Sequence, residues 1–148
     1  MKLSLSFINY KNIISYCIII SNIMLNEENN TCKVVLLGES GVGKTCIIGR
    51  YVNDVFDENS ISTSGASYAG KVMNFEEYDK TIKFEIWDTA GQERYRSLTK
   101  IFYKDAAAAI LVYDITRRES YEEVKNYWYN QIVEYASKNI GIFKINCF

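Results

Sequence analysis

The chain has 148 residues, 48% apolar and 24% charged, with 17 basic against 18 acidic side chains. One globular domain is expected, neither disordered nor fibrous, and a net charge of −1 carries no electrostatic footprint for nucleic acid. There is no histidine. That excludes Ser-His-Asp and Cys-His nucleophiles, His general bases and His-ligated zinc, so any catalysis rests on carboxylates, amides, hydroxyls, Lys, Arg, backbone N–H groups or a hard metal ion.

Residues 1–31 differ from the rest. A nearly unbroken apolar stretch at 13–25 follows Lys2 and Lys11, and a polar run, Asn26-Glu27-Glu28-Asn29-Asn30, closes the segment. The stretch has the length of a secretory apolar region but no A-x-A-like cleavage site comes after it, and it is short of the ~20 residues of a membrane span. It is expected to be a leader outside the folded domain, with a membrane anchor as the minor reading. Asn29-Asn30-Thr31 is a formal glycosylation sequon, meaningful only in a secreted chain.

From residue 32 a βα pattern sets in. Val34-Val35-Leu36-Leu37 reads as a strand buried on both faces of a parallel sheet, and a helix is expected from about 44 to 52. Residues 81–87 alternate, with Ile82, Phe84 and Ile86 on one face and Lys83, Glu85 and Trp87 on the other. Residues 72–75 are expected to pair with them across a turn near Asp79-Lys80. Residues 106–113 read as a second buried strand. Ser120 with Glu123 matches a capping box, opening a helix with Tyr121, Val124, Trp128, Ile132 and Tyr135 on one face, to about residue 137. Residues 139–148 suit the start of one more strand. Strands alternating with helices predict a doubly wound, mostly parallel α/β sheet. The cysteines at 17, 32, 46 and 147 form no C-x-x-C pair, so neither zinc nor a disulfide framework is expected and a reducing compartment is favoured.

Gly38-Glu39-Ser40-Gly41-Val42-Gly43-Lys44-Thr45 fits G-x-x-x-x-G-K-[ST], with a buried strand before it and a helix after it. Glycines permit the backbone conformations of an anion nest, the helix N-terminus adds partial positive charge, Lys44 can reach the β- and γ-phosphates, and the Thr45 hydroxyl can ligate Mg²⁺. A second strand, Phe84-Glu85-Ile86-Trp87-Asp88, ends in a carboxylate that can hold Mg²⁺ opposite that hydroxyl.

The run that this carboxylate opens, Asp88-Thr89-Ala90-Gly91-Gln92-Glu93, resembles the D-x-x-G-Q switch of the small GTPases of the Ras superfamily. Lys83-Phe84-Glu85-Ile86-Trp87, Arg94-Tyr95-Arg96-Ser97-Leu98-Thr99, Leu111-Val112-Tyr113-Asp114-Ile115-Thr116 and Val124-Lys125-Asn126 with Trp128 are similar to segments of the Rab branch, the GTPases of vesicle traffic. The resemblance covers residues 32–137 and implies the small-GTPase P-loop fold, GTP and GDP as ligands with Mg²⁺, and hydrolysis of GTP. By position it implies a phosphate cradle of Gly38, Ser40, Gly41, Val42, Gly43, Lys44, Thr45 and Cys46. Phe56 matches the aromatic that stacks on guanine. Thr63 matches the mobile-loop threonine that joins Thr45 and Asp88 on the metal. Gly91 matches the glycine that offers its N–H to the γ-phosphate, and Gln92 the glutamine that orients the attacking water, with Lys44 as the other catalytic residue. Tyr68, Trp87 and Phe102 match the aromatic triad read by effectors. Further implied partners are a GTPase-activating protein and an exchange factor, and the implied place is the cytoplasm, peripheral to endosomal or Golgi membranes. The run Gly65-Ala66-Ser67 after Thr63-Ser64 leans toward the early-endosomal branch.

The family's guanine-reading N-K-x-D and S-A-K motifs do not occur among these 148 residues; Asn146 stands near where N-K-x-D would begin. Residues 32–148 are therefore expected to be a C-terminally incomplete domain, as a truncated gene model or splice product would leave, and to be at risk of not folding alone. Cys147 has neither a C-a-a-X context nor a paired Cys, so a lipidated tail is not supported. The alternative to a hydrolysing switch is a non-hydrolysing interaction module that keeps the aromatic surface, or a product without function.

Overall fold

The computed structural model describes residues 30–56, 63–76, 79–92 and 96–147. The apolar stretch at 13–25, Cys17 and the start of the sequon lie outside them, as do Glu93, Arg94 and Tyr95. Among the described residues no helix is long and apolar enough to cross a membrane.

Five strands form one sheet: β1 (Thr31–Leu37), β2 (Ala66–Phe75), β3 (Lys80–Thr89), β4 (Ala108–Asp114) and β5 (Gly141–Cys147), in the spatial order β2-β3-β1-β4-β5. β1 runs parallel to both β3 and β4, β4 runs parallel to β5, and β2 alone is antiparallel, to β3. The expected doubly wound, mostly parallel sheet is present, and the segment at 139–148 supplies its fifth strand.

The apolar run in β1 explains its central place. Val34, Val35, Leu36 and Leu37 are all fully buried. Val34 and Leu36 join Phe84, Ile86, Ile110 and Val112 on one face; Val35 and Leu37 join Tyr103, Leu111 and Trp128 on the other. Burying each such side chain contributes about 1.5–3 kcal/mol. The first face is covered by α1 (Lys44–Asn53) through Ile48 and Tyr51. The second is covered by α2 (Arg96–Tyr103), α3 (Arg118–Glu123), a π-helical segment (Val124–Trp128) and α4 (Tyr129–Tyr135). Because β1, β3, β4 and β5 run the same way, their carboxyl ends share one rim of the sheet, where ligands bind in open α/β folds.

The sequence pattern misplaced two local features. Ser120 is not an N-cap: the helix starts at Arg118, and Ser120 is its third residue, fully buried. Its hydroxyl accepts the Asp114 N–H at 2.9 Å and donates to the Arg117 carbonyl at 2.7 Å, so the strand end captures the group that a capping box would have used. The helical face is also narrower than its spacing suggested. The wide π turn, closed by the Tyr129 N–H on the Val124 carbonyl, keeps Val124, Trp128 and Ile132 on the sheet, while Tyr121 and Tyr135 stand 39% and 43% exposed.

Candidate functional site: a phosphate loop with an oxygen-lined metal position

The loop between β1 and α1 occupies the rim at the end of the central strand. Its first glycine is sterically required: Gly38 has φ 153°, and a Cβ there would lie 2.2 Å from the Val112 carbonyl oxygen of β4. Gly41 and Gly43 take left-handed conformations, φ 74° and 89°, and Gly43 leads directly into α1. Such alternation turns successive N–H groups into an anion-binding concavity. Val42 is buried and anchors the loop to the first core face.

Lys44, at the first position of α1, is only 6% exposed. Its ammonium spans the loop, donating to the Gly38 carbonyl at 2.9 Å and the Glu39 carbonyl at 2.7 Å. Burial pushes its pKa down to about 8, against the pull of Asp88 and Glu39, and the positive charge of Arg117 adds to the lowering. A cation this poorly solvated gains strongly from an anion placed beside it.

Three oxygens from three separate segments meet beside the loop. Thr45 Oγ1 donates to Asp88 Oδ2 at 2.6 Å, Thr63 Oγ1 donates to the same oxygen at 3.1 Å, and the two hydroxyls are 2.8 Å apart. The sheet makes this meeting possible. β2 pairs with β3 from Ala66↔Thr89 onward, and the Ala90 N–H donates to the Gly65 carbonyl at 2.7 Å, which draws the segment carrying Thr63 onto the end of β3. Thr89 in turn donates to the Leu36 carbonyl at 2.6 Å, locking the end of β3 to β1. Asp88 is 2% exposed, and its Oδ1 accepts no hydrogen bond among the described residues.

This donor set fits Mg²⁺. One carboxylate and two hydroxyls are hard oxygen ligands, and they leave coordination positions for phosphate oxygens and water, as Mg²⁺ requires. The buried, unbonded Oδ1 adds a further acceptor. No cluster of three or more His, Cys, Asp or Glu side chains occurs among the described residues, so nothing there resembles an all-protein cage for a softer ion.

Gly91 packs against the same loop. A Cβ at Gly91 would lie 2.3 Å from the Glu39 carbonyl carbon and 2.4 Å from the Ser40 nitrogen. Gln92 comes next, half-buried. Cys46, in the first turn of α1, is half-buried and its thiol is free. Phe56 is not brought to the loop by any contact described; it stands 54% exposed after α1.

The three aromatic residues singled out from sequence form a continuous row. Tyr68 and Trp87 are register partners across β2 and β3, their rings 5.5 Å apart and edge-on, and Trp87 lies 5.1 Å from Phe102. Tyr68 is 49% exposed, while Trp87 and Phe102 are half-buried against the second core face, opposite Ile82, Phe84 and Ile86.

Two residues at the rim escaped the sequence reading. Cys147, at the end of β5, stands opposite Asp114 in the register and packs on the loop, its Sγ 3.4 Å from where a Gly43 Cβ would be. Arg117, just beyond β4, reaches the loop with its guanidinium, donating to the Ser40 carbonyl at 3.1 Å. The usable signal was position alone, since both lie at the carboxyl end of a parallel strand.

Comparison with known proteins agrees with this arrangement. Residues 33–146 match the model of the Ras family. The chain is 47% identical over 115 residues to Ras-related protein RIC1 of Oryza sativa subsp. japonica, and 46% identical over 115 residues to GTP-binding protein YPTM2 of Zea mays. Each alignment covers 78% of this chain and 55% of the relative, so the chain spans about half the length of the curated relatives it matches.

Proposed function

The chain belongs to the Ras family, among its Rab-type small GTPases, and on that premise we propose that it is a switch that binds GTP, hydrolyses it to GDP and recruits effectors in vesicle traffic. The observation that carries this reading is the meeting of Thr45, Thr63 and Asp88 within 3.1 Å of one another, beside a loop whose lysine is buried and held on backbone carbonyls.

The geometry supports the parts of Lys44, Thr45, Thr63 and Asp88; the parts of Phe56, Gly91 and Gln92 are those that family membership implies. Gly38, Ser40, Gly41, Val42, Gly43 and Cys46 present loop and helix N–H groups to the phosphates, and Lys44 exchanges its carbonyl partners for phosphate oxygens. Mg²⁺ on Thr45, Thr63 and Asp88 would neutralise charge on the phosphate oxygens. Gly91 offers its N–H on the side of the loop it packs against. Gln92 orients the attacking water. Phe56 lies against the base once nucleotide is bound. The segments around Thr63 and Gln92 are the parts that a nucleotide would order and its hydrolysis release. A GTPase-activating protein would raise turnover by completing the site in trans, and an exchange factor would open it.

The row Tyr68, Trp87 and Phe102, with exposed Ile101 and Val72 on the same elements, supports effector binding in place of pure core packing, since Ile101 is 68% and Val72 63% exposed. We further propose residues 32–148 as the GTPase-type domain, acting at the cytoplasmic surface of endomembranes, with the endosomal branch favoured by Gly65-Ala66-Ser67. Hydrolysis of radiolabelled GTP by the wild type and by Gln92→Leu tests the reading. Wild-type turnover that Gln92→Leu abolishes is expected; turnover indifferent to that change assigns the water-orienting role elsewhere. Effector binding that is equal with GTP and GDP would favour the non-hydrolysing interaction module.

A further inference from the structure

Arg117 lies in the connection between β4 and α3, 77 positions from the loop it touches. Its guanidinium is shared between two partners. Nε donates to Asp114 Oδ2 at 3.1 Å, and Nη2 donates to the Ser40 carbonyl at 3.1 Å, while Nη1 sits 3.9 Å from the Glu39 carboxylate. Asp114 is itself fixed: its Oδ1 accepts the Thr116 N–H at 2.8 Å and the Thr116 hydroxyl at 2.6 Å. Nη2 is also 4.0 Å from where a Gly41 Cβ would be, so the guanidinium covers the Ser40–Gly41 peptide.

In a trans peptide the carbonyl and the following N–H point in opposite directions, and the chain holds no cis peptide among its described bonds. A donor that captures the Ser40 carbonyl therefore aims the Gly41 N–H away from itself. The geometry points to Arg117 as a positioning residue of the phosphate loop, holding the Ser40–Gly41 peptide so that the Gly41 N–H faces a bound polyphosphate. This inference rests on the phosphate-binding reading above and adds to it a residue that the phosphate-loop motif does not contain. Arg117 acts in two ways. Its bond polarises the peptide and strengthens the opposite N–H as a donor. Its charge is also felt inside the site, since it is one of the groups that lower the Lys44 pKa. A lysine at this position could not replace it, because only the planar fork serves Asp114 and Ser40 together.

The test uses the full 148-residue chain and inorganic tripolyphosphate with Mg²⁺, a probe with no base to recognise. Calorimetry is expected to give an affinity for the wild type that falls about tenfold in Arg117→Ala, with Arg117→Lys recovering only part of the loss. The Gly41 amide resonance of the ligand-free protein is expected to move in both variants while the far-ultraviolet circular dichroism stays unchanged. Asp114→Asn, which frees the guanidinium without removing it, is expected to weaken binding by less, and its effect is expected to vanish in the Arg117→Ala background. If Arg117→Ala does not fold, Arg117→Lys carries the test, and an affinity within about twofold of wild type together with an unmoved Gly41 amide resonance in that variant overturns the inference. Tripolyphosphate affinity within about twofold of wild type in Arg117→Ala, or Asp114→Asn effects that are additive with it, overturns the inference and leaves the phosphate reading intact. A wild-type chain that binds neither tripolyphosphate nor GDP overturns both.

Discussion

Thr45 and Asp88, 43 positions apart, are joined by a hydrogen bond of 2.6 Å from the threonine hydroxyl to Oδ2, and this bond ties the first turn of α1 to the end of β3. A cation held there would lie between that hydroxyl and the carboxylate, and removing the carboxylate charge would remove its strongest ligand. Asp88→Asn is expected to make nucleotide release insensitive to chelation. In the wild type, EDTA is expected to speed release of a fluorescent GDP analogue by about tenfold or more, as a hard ion bound by few protein oxygens requires. Stopped-flow fluorescence with and without EDTA measures both.

Gly91 is pressed against the loop so closely that a methyl group cannot enter without moving backbone. Gly91→Ala is expected to destabilise the fold by about 1–3 kcal/mol and to cost tripolyphosphate affinity as well, because the displaced atoms are the Glu39–Ser40 peptide itself. Gly38→Ala, meeting the Val112 carbonyl at 2.2 Å, is expected to cost a similar amount of stability. Thermal unfolding followed by circular dichroism, paired with calorimetric titration, separates the two effects.

Lys44 sets a pH dependence of known sign. Its folded pKa of about 8 lies below the ordinary 10.5, chiefly because burial strips water from the ammonium. Between those values the unfolded chain binds more protons than the folded one, so the ligand-free protein gains stability from this group as pH rises from about 8 to 10.5. Below about 8 the penalty is fully present. In EDTA, the advantage in melting temperature of Lys44→Met over the wild type is expected to shrink across that window. Tripolyphosphate affinity is expected to move the opposite way, falling as pH climbs through about 8, because a phosphate favours the ammonium.

Cys147 is half-buried against the loop, and that partial burial raises its pKa to about 11, with the neighbouring Cys46 and Asp114 adding to the shift. The thiolate is the reactive form. At about pH 8, alkylation of Cys147 by iodoacetamide is expected to run about a hundredfold slower than for an unperturbed thiol of pKa ~8.5–9. Peptide mass spectrometry resolves its rate from those of the other cysteines.

Much of this site was legible because its signals are local. The loop motif depends on neighbours within one short run, Gly38 to Thr45, and the alternation Ile82, Phe84, Ile86 placed Trp87 on the opposite face without knowledge of the fold. The meeting of Thr63 with Asp88 was not readable from spacing, because it depends on the β2–β3 register and on the Ala90–Gly65 bond; only the family resemblance pointed to it. Ser120 misled because a serine three residues before a glutamate has the same pattern whether it caps a helix or serves the backbone of the preceding strand. Arg117 was invisible for a related reason. Its hydrogen-bond acceptor on the loop is the Ser40 backbone carbonyl, which leaves no mark in the sequence.

A Mg²⁺-dependent site for a guanine nucleotide on this loop is the feature from which every other proposed property derives. Its decisive test is equilibrium titration of the chain with a fluorescent GTP analogue, in excess Mg²⁺ and again in EDTA, with Lys44→Ala alongside. Saturable one-to-one binding that is displaced by unlabelled GTP, weakens about tenfold or more in EDTA and is lost in Lys44→Ala is the expected result. Binding that is absent, or that ignores both Mg²⁺ and Lys44, would contradict it.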